Sequence, residues 1–348
     1  MKKIISVGSA TYDIYLRKTD PLIFTNKKFI NKKGIAFPLG AKVKVKEMNI
    51  FSGGGATNTA FTFQRMGIQT KIICRLGKDY FGERILEELQ KEGIDTSLVQ
   101  YDYINPTAFS VILLLEDGER TILSYKGANE RFTFEEVPLK ELETNWIFLG
   151  SLGKNLKNLK FFLRLKKEKS IKLAINPSRE ALIFFKKHKD LLSFFDVFIV
   201  NQEEASYLTG INYFKEKELF KTLDQWVKGI AVMTKGKNGV SVSDGQILYS
   251  AEALNFKNFI KSERPSLKIL KKRDTTGAGD AFASAFVGSL VLAENINEEE
   301  IEKAIKLALI NSSSVVNYLG AKTGILFLED IDFNSLSKIK INKIKLKV

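Results

Sequence analysis

Between residues 146 and 236 the sequence repeats one pattern four times. Short apolar runs read WIFLGS (146–151), IKLAIN (171–176), FDVFIVN (195–201) and IAVMTKG (230–236). The stretches between them predict helices at roughly 155–169, 179–192 and 202–228. Strands that are apolar at nearly every position are typical of a parallel sheet covered on both faces. The pattern predicts an α/β fold, with a doubly wound, mostly parallel sheet and helices on both faces.

The same alternation extends toward both ends of the chain. Residues 3–9 and 71–76 are further apolar runs of strand length. A glycine directly after a helical pattern indicates the end of that helix. The helices predicted outside the central region are 55–66, 82–92, 278–293 and 298–318.

Two stretches interrupt this alternation. Residues 14–50 contain alternating, half-polar runs, and residues 98–126 contain two strand-like runs around Asp117-Gly118, a strong hairpin signal. Such antiparallel strands predict a small inserted β-sheet lid over a cleft. The body then comprises residues 1–13, 51–97 and 127–330. The lid comprises residues 14–50 and 98–126, and a Lys-rich C-terminal tail covers 331–348.

The composition excludes several classes of protein. None of the 348 residues belongs to an apolar run of 18, so a membrane span is not expected. The single cysteine, Cys74, excludes a disulfide scaffold and a Cys-rich metal site, and the single histidine, His188, excludes His-pair zinc catalysis. Asp13 interrupts the N-terminal apolar stretch too early for a signal peptide, so we predict a cytoplasmic protein.

The formal net charge of +14 comes from lysine, with 44 Lys and only 10 Arg. The lysines are spread along the chain, and the densest clusters are Lys166–Lys169, Lys268–Arg273 and the C-terminal KIKINKIKLKV. A dedicated nucleic-acid surface more often clusters its basic residues and uses arginine. We therefore predict neither a nucleic-acid partner nor a membrane partner.

The run DTTGAGD (274–280), followed by AFASAFVGSLVLA, predicts a phosphate cradle at a helix N-terminus. Small residues at Gly277, Ala278 and Gly279 let backbone N–H groups face phosphate oxygens. Asp280 stands in the first turn, where it can take a proton from a hydroxyl that attacks the phosphate. General-base help of this kind is worth about 10²–10⁴-fold in rate. Neither a Walker A loop nor a GxGxxG motif is present.

Two other motifs are suited to binding a polyol. The run FSGGGATNTA (51–60) contains Gly53 and Gly54, which permit close backbone approach, and Asn58, which can donate to and accept from a hydroxyl. Asp13 follows the first strand, and the carboxyl ends of parallel strands line the ligand crevice in a doubly wound sheet. A carboxylate there can accept two hydroxyl protons of a diol.

Two further motifs are suited to binding a nucleotide. Asn201 and Glu204 are three residues apart at the start of a predicted helix and share one face of it. Their side-chain oxygens are of the type that reaches phosphates and hydrated Mg²⁺. The polar turn from Thr234 to Gly236 follows the next strand and could approach the nucleotide.

Together these motifs resemble the ribokinase-like (PfkB) family of sugar and nucleoside kinases. DTTGAGDAFASA resembles the C-terminal signature of the family, and GGGATNTA resembles its N-terminal glycine motif. LGKDYFG, DGERTIL, NQEEASYLTG and TKGKNGV follow the order of the family, and the resemblance spans roughly residues 3–327. It implies the ribokinase-like fold and ATP-dependent, Mg²⁺-assisted phosphorylation of a hydroxymethyl group on a sugar.

The resemblance also implies a role for each motif residue. Asp280 is expected as the catalytic base, and the anion hole is expected at Gly277, Ala278 and Gly279. The residues expected to bind ATP and its ions are Asn201, Glu204, Thr234, Gly236, Asp274 and Gly279, with Glu204 toward Mg²⁺ and Asp274 toward a monovalent cation such as K⁺. The residues expected to bind the acceptor are Asp13, Gly53, Gly54 and Asn58.

These motifs do not identify the acceptor. Alternatives to a sugar kinase are an adenosine-like nucleoside kinase, a sugar-phosphate kinase and a non-catalytic binder of the same fold. In a sugar-phosphate kinase, Lys42, Lys44 or Arg120 would bind the phosphate. Gly55 stands where many ribokinases have a polar residue, which disfavours ribose, and Leu309 predicts an apolar wall beside the adenine. The lid is a candidate surface for a homodimer.

Overall fold

A computed structural model of the chain describes residues 2–17, 19–29, 32–115, 119–134, 136–152, 157–261, 270 and 274–346. The Asp117-Gly118 turn and most of the Lys268–Arg273 cluster lie outside these residues. The strands are β1 (Lys3–Val7), β2 (Thr11–Arg17), β3 (Leu22–Thr25), β4 (Lys33–Ala36), β5 (Glu47–Gly53), β6 (Gln69–Ile73), β7 (Arg75–Gly77), β8 (Gln100–Asp102), β9 (Phe109–Leu114), β10 (Arg120–Tyr125), β11 (Trp146–Leu149), β12 (Lys172–Ile175), β13 (Val197–Asn201), β14 (Ile230–Thr234), β15 (Val240–Ser243), β16 (Ile247–Ala251) and β17 (Asn342–Lys345). The helices are α1 (Gly55–Arg65), α2 (Tyr80–Lys91), α3 (Lys157–Lys169), α4 (Arg179–Lys187), α5 (Gln202–Thr209), α6 (Glu216–Trp226), α7 (Ala278–Leu292) and α8 (Glu298–Val315).

The main sheet has the strand order β17-β16-β15-β14-β13-β12-β11-β1-β6. Strands β6, β1 and β11 to β14 run parallel, while β15, β16 and β17 are added antiparallel at one side. All four residues of β11 are buried, which accounts for its apolar sequence. The predicted α/β class and the mostly parallel sheet are confirmed.

Helices cover both faces of this sheet. On one face, α1, α7 and α8 enclose a core that includes Phe63, Phe148 and Phe286. On the other face, α3 to α6 enclose a core that includes Phe162 and Phe198. A sheet buried on both sides needs apolar residues at successive positions, and this is why its strands do not alternate with polar residues.

Helix α7 is the most deeply buried helix next to the cleft. Small side chains at Ala281, Ala283 and Ala285 let it pack closely against α1 and α8. At Gly288 the fit leaves no room for a side chain, because a Cβ would lie 2.6 Å from the Met66 sulfur. Close packing on both sides fixes the position of its N-terminus.

Two of the predicted elements are each divided in the structure, and the helix predicted at 179–192 ends at Lys187. The helix predicted at 202–228 is two helices, α5 and α6, because Gly210 ends α5 in the left-handed conformation with φ of 78°. The strand predicted at 71–76 divides between β6, which pairs with β1, and β7, which pairs with β8. Residues Asn342–Lys345, from the Lys-rich C-terminal stretch, pair with β16 as the edge strand of the main sheet.

The strands of the predicted lid form a separate four-stranded sheet with the order β10-β9-β2-β5. This sheet, called the lid below, also includes residues 11–13 and 51–53, which were predicted as part of the body. Strand β2 pairs antiparallel with β5 and parallel with β9, and its residue Asp13 lies opposite Phe51 and Ser110. Strands β3 and β4 form a two-stranded ladder of their own within the long 14–50 segment. Within the part of the chain that the structure describes, none of the helices combines the length and the apolar character needed to cross a membrane.

Candidate active site

The N-terminus of α7 forms the floor of the cleft. Gly277 is its N-cap and has φ of 76° and ψ of −3°, a left-handed conformation that glycine adopts without strain. A Cβ on Gly277 would lie only 2.5 Å from the Ala321 Cβ, so this position also has no space for a side chain. The first N–H groups of a helix have no partner inside it and can bind an anion. Of the predicted anion-hole amides, that of Ala278 donates to the Thr275 carbonyl oxygen at 3.3 Å.

Asp280 lies in the first turn of α7 and faces α1. The Asn58 side-chain amide donates to its Oδ2 at 2.8 Å. Burial raises the pKa of the Asp280 carboxyl above its usual range, and the hydrogen bond from Asn58 opposes this shift. Asn58 is only 4% exposed, and its Oδ1 has no hydrogen-bond partner among the described residues. That oxygen is available to a ligand hydroxyl.

The predicted acceptor residues Asp13 and Gly53 lie against each other. A Cβ on Gly53 would lie 2.1 Å from Asp13 Oδ2, so the glycine leaves room for this carboxylate. The Asp13 side chain is buried, and burial raises the pKa of its carboxyl, while hydrogen bonds from Ser110 and Thr11 oppose the shift. A buried carboxylate of this kind is suited to accept hydroxyl protons from a polyol.

The glycine turn connects this carboxylate to Asp280. Gly54 has φ of 97° and packs against the Ser9 carbonyl group, where a Cβ would be 2.5 Å from the oxygen. The Ser9 hydroxyl accepts the Gly55 N–H at 3.1 Å. A Cβ on Gly55 would come within 3.8 Å of Asp280 Oδ1. Asp13, the turn and Asp280 therefore border one space at the carboxyl end of β1.

A cavity of about 310 Å³ lies on the other side of the α7 N-terminus. Four of the predicted ATP or anion-hole residues line it, namely Thr234, Gly236, Ala278 and Gly279. Phe282, Leu309 and Val316 give it an apolar wall. An apolar wall beside a helix N-terminus suits a nucleotide, with the base against the wall and the phosphates at the amides.

Asn201 and Glu204 form a reciprocal cap on α5. The Asn201 side chain accepts the Glu204 N–H at 2.8 Å, and Glu204 Oε2 accepts the Asn201 N–H at 2.8 Å. Asn201 lies opposite Thr234 in the β13–β14 pair, so this cap adjoins the same cavity although neither residue lines it. Burial raises the pKa of the Glu204 carboxyl. A carboxylate is the type of ligand by which proteins commonly hold Mg²⁺ together with substrate phosphates.

Asp274 lies in the loop that leads into α7. Its Oδ1 accepts the N–H of Thr276 at 3.0 Å and the Thr276 hydroxyl at 2.7 Å. Its Oδ2 is buried and has no hydrogen-bond partner in the described part of the chain. A bare, buried carboxylate oxygen fits a bound cation, and Asp274 is the residue expected toward K⁺.

Arg120 extends from the lid to this same loop. Its guanidinium donates to the Thr275 hydroxyl at 3.2 Å and lies 3.8 Å from Asp274 Oδ1. Lys42 and Lys44, the other candidates for a substrate phosphate, are exposed in an irregular segment of the lid. The structure therefore brings only Arg120 of these three residues to the cleft.

Sequence reasoning missed two residues that shape the site. Ser9 holds the glycine turn, and Lys322 is a buried cation behind it. No sequence signal marked Ser9, since serine after a strand is common. Lys322 was one of 44 lysines, and only the fold distinguishes it from the exposed ones.

Comparisons with known proteins agree with this geometry. A family model described as pfkB family carbohydrate kinase matches residues 1–326. A ribokinase of Staphylococcus aureus (strain COL) is 27% identical over 336 residues, covering 95% of this chain and 98% of the relative. A probable fructokinase-5 of Arabidopsis thaliana is 25% identical over 281 residues, covering 76% of this chain and 81% of the relative.

A solved structure shows the same fold. The structure of Arabidopsis thaliana ribokinase complexed with ribose and ATP matches with a TM-score of 0.71 and 21% identity. The match covers 97% of this chain and 98% of that chain. The ribokinase-like architecture predicted from the sequence is confirmed.

Proposed function

The chain belongs to the pfkB family of carbohydrate kinases, and we propose that it transfers the γ-phosphoryl group of ATP to a hydroxymethyl group of a sugar. The observation that carries this proposal is the contact between Asn58 and Asp280 at 2.8 Å. It joins the acceptor side of the cleft to a carboxylate at the helix N-terminus beside the nucleotide cavity. A base between an acceptor space and an anion hole is the arrangement that phosphoryl transfer needs.

The proposed mechanism assigns one task to each group. Asp13 and Asn58 hold the acceptor hydroxyls, and Asp280 accepts the proton of the attacking hydroxymethyl group. The oxygen then bonds to the γ-phosphorus as the bond from that phosphorus to the ADP oxygen breaks. The free amides at the N-terminus of α7 stabilise the negative charge on the transferred group, which is worth roughly 3–4 kcal/mol per donor in comparable sites.

Ions complete the proposed site. Glu204 would hold Mg²⁺ on the nucleotide, and this ion, when bound, neutralises phosphate charge. Asp274 would hold a monovalent cation such as K⁺ beside the loop that begins α7. The cytoplasmic location and the homodimer through the lid stay predictions.

The experiment is a measurement of ADP production from Mg-ATP with pentoses, hexoses, their phosphates and nucleosides as acceptors. We expect turnover with a sugar and a loss of about 10²–10⁴-fold in kcat for Asp280→Asn, with ATP binding retained. Asp190→Asn, which alters an exposed carboxylate outside the cleft, is the matched control. A sugar-independent ATPase, or an Asp280→Asn variant with wild-type kcat, would contradict the proposal. Turnover with nucleosides alone would instead support the nucleoside kinase.

A further inference from the structure

Lys322 is a lysine buried inside the protein, with only 6% of its surface exposed. It follows α8, in the loop that runs past the cleft. Its ammonium contacts the Ser52 hydroxyl, lies 3.3 Å from Glu88 Oε1 and sits 4.3 Å from the centre of the Phe61 ring. Burying a charge costs free energy unless the charge is paired. Lys322 therefore depends on these specific partners, unlike a lysine that is solvated.

The contacts of Lys322 join three separate elements behind the glycine turn. Ser52 belongs to the lid strand β5, Glu88 belongs to α2, and Lys322 belongs to the loop after α8. The Ser52 hydroxyl also donates to Glu88 Oε2, which closes a triangle of polar contacts. The carboxylate of Glu88 is 40% exposed, so its charge is partly hydrated while that of Lys322 is not.

Ser52 connects this triangle to the acceptor side of the cleft. The next residue, Gly53, is the one whose Cα makes room for the Asp13 carboxylate. A small displacement of β5 at Ser52 would therefore move Gly53 against Asp13 or away from it. Burial lowers the pKa of the Lys322 ammonium, and the nearby Glu88 carboxylate opposes this shift.

The two residues before Lys322 contact other parts of the site. A Cβ on Gly320 would lie 2.7 Å from the Phe51 ring, so Gly320 packs against the same lid strand. The Ala321 side chain packs against Gly277, the N-cap of α7. One run of three residues thus contacts the anion hole, the lid strand and the polar triangle.

We propose that Lys322 is a positioning residue for the acceptor: held by Ser52 and Glu88, it fixes the end of β5 and thereby the place of Gly53 and Asp13. The inference rests on the proposed function, because it concerns how that site holds its acceptor. It predicts that the charge of Lys322 matters for acceptor binding and much less for ATP binding, since the nucleotide cavity lies on the far side of α7.

The test compares steady-state kinetics of the wild type, Lys322→Met and Lys322→Arg with the acceptor found in the panel. In Lys322→Met we expect the KM for the acceptor to rise about tenfold, while kcat and the KM for ATP stay within about threefold. Lys322→Arg keeps the charge and should restore most of the acceptor KM. Lys166→Met is the matched control, because it removes a half-buried lysine paired with Asp196 at the opposite end of the sheet.

A purely structural role for Lys322 would give a different result. It would lower the melting temperature of Lys322→Met and leave the acceptor KM of the folded enzyme unchanged, which would overturn the inference. If Lys322→Met does not fold, Glu88→Gln carries the same test, and an unchanged acceptor KM in that variant overturns it too. If the wild type phosphorylates no acceptor, both the proposed function and this inference are overturned. If the wild type does phosphorylate an acceptor, the proposed function stands and the Lys322→Met result tests this inference alone.

Discussion

At the scale of single residues, Asp280 combines two opposing influences. Burial favours its neutral form, and the hydrogen bond from Asn58 favours its charged form. A general base must be unprotonated to act, and its strength rises with its pKa. The hydrogen bond from Asn58 thus opposes the effect of burial on the pKa of the Asp280 carboxyl.

Replacing Asn58 should change the pH dependence of the reaction. In Asn58→Leu the carboxylate loses a hydrogen bond to its charged form, so the pKa of Asp280 should rise further. The acid limb of the kcat/KM profile should therefore move to higher pH, and the plateau should fall by about tenfold because an acceptor contact is lost. The measurement is kcat/KM against pH for both proteins. A limb that stays in place, or that moves to lower pH, would contradict this role for Asn58.

The sequence could indicate Asp280 and Asn58 as functional residues. Each stands in a motif with glycines at the start of a helix, and these features determine the local geometry. It could not indicate that Asn58 donates to Asp280, since 222 residues separate them. Nor could it indicate Ser9 or Lys322, whose roles depend on the carboxyl end of β1 and the loop after α8 coming together. Residue spacing predicts which functional groups lie close together within one motif. It does not predict contacts between segments that are distant in the sequence.

At the scale of elements, the boundaries follow local signals that compete with the periodic pattern. The stretch from 202 to 228 was predicted as one helix. Gly210 and the residues after it divide it, because a left-handed residue cannot continue an α-helix. The resulting second helix, α6, packs Asp224 against β15.

Asp224 should make α6 less stable at neutral pH than it is in acid. Ser243 donates to Asp224 Oδ2 at 2.8 Å, and the other oxygen is buried without a partner among the described residues. Burial raises the pKa of this carboxyl to about 6 from 3.8, and Asp244 adds to the shift. The folded state therefore binds the proton more tightly than the unfolded chain, so stability falls as pH rises from about 4 to about 6.

Asp224→Asn removes this cost while keeping an oxygen for Ser243. We expect its melting temperature to exceed that of the wild type by roughly 2 °C at pH 7.5, with the difference shrinking toward pH 4. The measurement is thermal unfolding at several pH values. Asp190→Asn, at an exposed carboxylate, is the control. A stabilisation of equal size at both ends of the pH range would show that charge is not the cause.

At the scale of the whole molecule, the site lies where the lid meets the body. Asp13 comes from the lid strand β2, Asp280 comes from the body helix α7, and Arg120 reaches from β10 to Thr275. Periodicity in the sequence predicted the two sheets. Strands buried on both faces are apolar at successive positions, whereas strands buried on one face alternate between apolar and polar residues. It did not predict their junction, because the contacts there, such as that of Arg120 with Thr275, join residues far apart in the sequence.

The edge strands of the lid expose apolar side chains that are costly to leave in water. On β5 these are Met48 and Ile50, and on β10 they are Ile122 and Leu123. Each of these residues is between 43% and 60% exposed. We predict that a second copy of the chain covers them, as the sequence suggested for the lid. A patch of this kind on both edges favours association of two lids over a free monomer.

Leu123→Glu should therefore convert a dimer into a monomer, because it places a charge in the proposed interface. Leu123 is 57% exposed, so the substitution should leave the fold of each chain intact. Light scattering should give a mass near twice 39.3 kDa for the wild type and near 39.3 kDa for the variant. Ile183→Glu, at a residue 45% exposed on α4 of the body, is the matched control and should remain a dimer. A monomeric wild type would contradict the prediction.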